Sequence, residues 1–208
     1  MRRHALACVL LLTAGCVKNN DLVQYDRMRN SNDPQAVAAE SISCSEKDMA
    51  CVRLLVLRGS ACARLSEAPD VATRVRMRGC ALDDFTAAQR QLPADAEAED
   101  RRKVLTGLAE AQRNNRDNSG SRATADGLNQ QLMTTATALG SIPGGASTAA
   151  YFKSEALAYQ GQRAGSAGCA DLRAARVGLP TAVGEDLAPR VETLRVSVTN
   201  AMQTQRCV

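Results

Sequence analysis

The sequence predicts an all-α protein, and three observations carry that prediction. Aromatic residues make up 2% of the 208, and β-branched residues are outnumbered by Ala, Leu, Arg and Gln, a composition that feeds helices rather than sheets. No stretch sustains period-two alternation, whereas apolar residues recur at three- and four-residue spacings between breaks of Gly, Pro, Asn and Ser. Three segments also end on one spelling: Ala88-x4-Pro93, Ala138-x4-Pro143 and Ala175-x4-Pro180, each with Leu or Ile just before the Pro and with Phe85, Thr135 or Leu172 three residues before the Ala. At 22.1 kDa the chain can bury one substantial core.

The elements follow in order. Asp33-Pro34 pairs an N-cap with a first-turn proline and predicts a short helix to about Ser43. Ser45-x-x-Asp48 has capping-box spacing and opens a second helix through Leu54, Leu55, Leu57, Cys62 and Leu65, with a kink expected at Gly59. Pro69-Asp70 starts a third, its apolar stripe read as Val71, Val75, Ala81, Leu82, Phe85 and Ala88. A fourth, from about Asp95 to Arg113, turns Val104, Leu105, Leu108 and Ala111 inward. Asn114 to Ser121 is predicted as a loop. Helices over 123–139, 148–162, 167–179 and 188–205 complete the series, the first two separated by a break at Pro143-Gly144-Gly145.

The N-terminus predicts a compartment. Arg2 and Arg3 precede an apolar run, 5–12, that is too short to span a bilayer. It ends in Leu12-Thr13-Ala14-Gly15-Cys16, which resembles the lipobox of bacterial lipoproteins, with Thr13 where that family more often has Leu. The resemblance implies a signal peptide over 1–15, acylation of Cys16 and a new N-terminus there. Val17, where an Asp would favour the inner membrane, implies the outer membrane. Two or three acyl chains anchor stably where one does not. The polar stretch from Lys18 to Asn32 reads as a tether completing an anchor segment, 16–32, ahead of a periplasmic body over 33–208.

The cysteines agree with an oxidising compartment. Of eight, Cys8 leaves with the leader and Cys16 carries lipid, so Cys44, Cys51, Cys62, Cys80, Cys169 and Cys207 remain for three disulfides. Cys51 and Cys62 would stand roughly 16 Å apart on one continuous helix, beyond the about 7 Å a disulfide spans. The expectation is Cys169 with Cys207, and exchange among the other four. With no Cys-x-x-Cys pair and no histidine after the leader, a metal site is not expected.

The last repeat unit resembles a tetratricopeptide repeat. Phe152, Ala156, Tyr159, Gly168, Leu172, Ala175 and Pro180 follow that family's spacing, with Glu155 departing where the family has Leu. Two earlier units, from Leu55 to Pro93 and from Leu105 to Pro143, match with lengthened helices. The resemblance implies antiparallel helical hairpins stacked as a short, disulfide-stapled solenoid of about eight helices. It also implies a protein-binding concave face from first helices, and so Lys153, Glu155 and Tyr159 as contact residues.

Composition narrows function mainly by exclusion. The only histidine, His4, lies in the leader, and no nucleophile elbow, P-loop or dinucleotide glycine pattern is present. Asp95, Glu97, Glu99 and Asp100 suit the start of a helix, where the dipole favours negative charge. Of 26 Lys and Arg, two leave with the leader, so 24 face 22 Asp and Glu, too even a balance for nucleic-acid binding. Neither an enzyme nor a cofactor or small-molecule substrate is expected. The reading is an outer-membrane-anchored adaptor for envelope proteins of an assembly or secretion machine. The alternative is a periplasmic immunity or inhibitor lipoprotein that neutralises a toxin or hydrolase.

Overall fold

The structure, a computed structural model, describes residues 21–44 and 47–207, all helix, turn and loop with no strand among them. The segment predicted as a leader, Cys16 and Ser45 lie outside the described residues. The chain forms two compact units, Met1–Ala96 and Glu97–Val208. Each is a set of packed helical hairpins, as the sequence predicts, and the six cysteines join in pairs within them: Cys44–Cys51 and Cys62–Cys80 in the first, Cys169–Cys207 in the second, with Cα atoms 5.9, 5.9 and 5.2 Å apart.

In the first unit, residues 21–29 (α1) are helical where their polar composition suggests a tether. The reason is partner burial: Met28 packs with Val37, Leu54 and Ala61, and Tyr25 lies against them. Helix α2, Pro34–Ala38, is capped by Asp33 but stops short of Ser43. Beyond it the chain is held by side chains of neighbouring helices, Arg58 donating to Glu40 O at 2.7 Å and Gln24 to Ser41 O at 3.0 Å. Helix α3, Met49–Leu65, is capped by Asp48 itself and so starts later than the Ser45 spacing predicts. It runs through Gly59 unbroken, and that glycine leaves room for the Phe85 ring, which would stand 3.1 Å from any Cβ there.

Helix α4, Val71–Gln91, buries Met77, Ala81, Phe85 and Ala88. Val71 and Val75, assigned to its apolar stripe from sequence, are instead 62% and 61% exposed. At 100° per residue they fall well off the face that Met77, Ala81, Phe85 and Ala88 share. Within Asp83-Asp84 only Asp84 is buried, as adjacent helical positions require.

The second unit holds α5 (Ala98–Asp117), α6 (Arg122–Gly140), α7 (Ala146–Ala164), a 3-10 turn (Gly165–Gly168), α8 (Cys169–Gly178) and α9 (Ala188–Thr204). Val104, Leu105, Leu108 and Ala111 face inward on α5, and Glu99 and Asp100 sit in its first turn. The predicted loop over 114–121 is half helix, because α5 continues to Asp117. Asn115 bonds back to Ala111 O and Asn118 to Asn114 O, both at 2.8 Å, and Arg116 is 4% exposed, so this polar run is held from both sides. Leu132, Leu139, Phe152 and Leu172 are fully enclosed. Burying each such side chain contributes about 1.5–3 kcal/mol. Phe85, Thr135 and Leu172, which precede the three repeated Ala residues, are all buried.

Helix α7 meets the following turn at glycine against glycine. A Cβ on Gly161 would lie 2.7 Å from Leu172 Cγ and 2.8 Å from Gly168 O, and one on Gly168 would collide with the Gly161 backbone. Only hydrogen fits at either position.

Candidate functional site

Helices α5, α7 and α9 of the second unit enclose an open cleft of about 480 Å³, within the range of ligand-sized sites. One turn of α5 presents Arg113 and Arg116. From α7 come Tyr151, Glu155 and Tyr159, on one face at four-residue spacing, and from α9 comes Arg190.

The carboxylate of Glu155 organises the wall. Its Oε1 accepts the Tyr151 hydroxyl at 2.7 Å and lies 3.7 Å from an Arg113 nitrogen, while Oε2 accepts from Arg116 at 3.3 Å. Arg116 also donates to Asn129 Oδ1 and to Asp117 Oδ1, at 2.8 and 2.7 Å. Asn129 in turn donates to Ala156 O, so α5, α6 and α7 are joined by one buried polar chain. On the far side Arg190 pairs with Glu110 and donates to the Tyr151 hydroxyl at 3.3 Å.

The guanidiniums also lie over aromatic faces. Arg190 is 4.7 Å from the Tyr151 ring centre, and Arg116 and Arg163 are 4.7 and 5.1 Å from that of Tyr159. Burial, with the Glu155 charge beside it, pushes the Tyr151 phenol up to about 12. The Tyr159 phenol is raised too, by burial and by its hydrogen bond to Asp126. For Arg190, burial works against the charge, but Glu110 outweighs it and the pKa rises. The two phenols stay protonated and Arg190 stays charged across the neutral range.

Of the three contact residues that the repeat resemblance implies, the structure places Glu155 and Tyr159 in the cleft. Lys153, two residues from Glu155, points away by 200° of helical rotation and lines none of it. Arg113, Arg116, Tyr151 and Arg190 were not singled out from sequence. The spacing Tyr151-x3-Glu155 was legible as an i, i+4 pair, whereas Arg190 arrives from a distant helix with no local signal.

A second group, in the first unit, brings the Cys62 and Cys80 sulfurs and an Asp84 oxygen within 4.8 Å. The sulfurs are bonded to each other and Arg58 holds both carboxylate oxygens, so these donors are committed. Among the described residues no helix is long and apolar enough to cross a membrane. No protein-family model, curated protein or solved structure matches the chain.

Proposed function

We propose that the chain is a lipid-anchored envelope adaptor that docks other proteins through the cleft between α5, α7 and α9. The observation that carries this reading is the wall of that cleft, where Tyr151 and three arginines are held in place by a shared ion-pair network and Tyr159 lies against the guanidinium of Arg116. Tyr and Arg are the residues that most often anchor protein interfaces, and fixing them beforehand lowers the ordering cost of binding. The lipobox resemblance and the six cysteines support a periplasmic body held at the outer membrane.

The test is affinity capture of the tagged full chain from crosslinked, detergent-solubilised envelopes. Co-capture of several assembly or secretion components, lost in a Tyr159→Ala variant, is the expected result. Capture of a single stoichiometric secreted enzyme would replace the adaptor with an inhibitor or immunity protein. Replacing Cys16 with Ser should move the protein to the soluble fraction, and persistence in the membrane would remove the anchor from the proposal.

A further inference from the structure

The cleft has more hydrogen-bond donors than acceptors, and that imbalance identifies what it takes. Arg113, Arg116 and Arg190 bring five N–H donors each. Glu155, the central acceptor, already has both oxygens engaged and its side chain is only 15% exposed. Asp117 accepts from Arg116 Nε through Oδ1 and is 42% exposed, so it is the carboxylate of this lining that reaches solvent. Arg113 and Arg190 are the cations that reach solvent, at 31% and 35% side-chain exposure. Arg113 Nε is buried with no acceptor at all. At Glu155, in the middle of the wall, a cationic ligand would have to displace an arginine from a carboxylate that is already satisfied. An anionic ligand needs only to approach donors that are still open, and guanidinium forks match carboxylates geometrically. Beside these donors the cleft is lined by Ala158, Pro189 and Leu194, with Gln162, Thr193 and Ser197 at hand for a peptide backbone.

Resting on the adaptor reading above, we infer that the partner enters this cleft as an acidic peptide segment, its carboxylates seated on Arg113 and Arg190 and a neighbouring apolar side chain against Leu194. Glu110 and Glu155 then hold the forks in position while the ligand supplies the missing acceptors.

The test uses the full chain with fluorescently labelled, end-blocked hexapeptides carrying two adjacent Glu beside a Leu, and matched versions with Gln or Lys in place of Glu. Anisotropy should show the acidic peptide binding at least ten-fold more tightly than either counterpart, with affinity falling as salt rises. Arg113→Gln and Arg190→Gln should each weaken it by ten-fold or more. Arg176→Gln, the same charge change on the exposed face of α8, should leave it within two-fold. Arg113→Lys, which keeps charge but loses the fork, guards against a folding artefact and should give an intermediate loss with an unchanged melting curve. Equal binding of the three peptides, preference for the Lys peptide, insensitivity to the cleft arginines or no binding by the folded chain would each overturn the acidic-segment assignment. Those outcomes leave the adaptor reading to the capture experiment, which is scored without reference to peptide charge. Competition by free glutarate at concentrations as low as the peptide's own would assign the site to a small dicarboxylate and overturn the peptide.

Discussion

Arg58 on α3 grips Asp84 on α4 with both prongs of its guanidinium, Nε to Oδ2 at 2.9 Å and Nη2 to Oδ1 at 2.6 Å, while its remaining nitrogen holds the Glu40 carbonyl. Asp84 is 3% exposed on its side chain, and the pair raises the pKa of Arg58, chiefly through the hydrogen bond to Asp84. Three segments of the first unit therefore meet at one ion pair.

Removing one partner strands a buried charge. Arg58→Met should cost about 3 kcal/mol or more in denaturant unfolding, whereas Arg58→Met with Asp84→Leu should recover most of that. Additive losses in the double variant would show that the pair is not coupled.

The glycine contact between α7 and the 3-10 turn gives a steric prediction. Gly161→Ala or Gly168→Ala should destabilise the second unit by about 1–3 kcal/mol, since the obstructing atoms are largely backbone and Leu172. Gly127→Ala, with nothing within 4 Å of its Cβ, should be neutral or slightly stabilising. Thermal melts of the three variants decide it.

Tyr151 makes stability depend on alkaline pH. Its phenol titrates near 10 when unfolded and at about 12 in the fold. Between those values the native state keeps a proton that the unfolded chain has lost, so this contribution is complete below pH 10 and is lost as pH rises through 12. Wild type should lose about 1–2 kcal/mol more than Tyr151→Phe across that window, after allowance for screening at the open cleft. Parallel declines in urea titrations at pH 10 and 12 would contradict the raised phenol.

The disulfides should differ in weight by loop length. Paired Cys→Ser replacement at Cys169–Cys207, separated by 38 residues, should cost about 4 kcal/mol, against about 2 for Cys44–Cys51, separated by 7. Equal losses would point away from loop closure as the source of their stabilisation.

Much of the fold was legible because helix periodicity and caps are local. Asp33, Asp48 and Asp70 cap α2, α3 and α4 through their own carboxylates. What was not legible depends on remote neighbours. Residues 21–29 are polar enough for a tether and become helix because Val37 and Leu54 cover Met28. The run after Asn114 reads as a loop until Glu155, 39 residues from Arg116, supplies a counter-ion. Val71 and Val75 have the right residue type and the wrong angular position. The candidate site divides the same way. Tyr159 lies on the repeat pattern and Glu155 is its one departure in that unit, while Arg190 is brought to Tyr151 by packing alone.

The Cys169–Cys207 bond also fixes how this chain answers force. Between those residues lie the whole of α8, the following loop and α9, yet their Cα atoms are 5.2 Å apart. Pulled from its two ends, the chain can lose every helix there and still not lengthen through that stretch. At about 3.4 Å per residue the bond withholds about 130 Å of contour. In the oxidised protein, tension would bypass α8 and α9 and fall instead on the helices that precede Cys169.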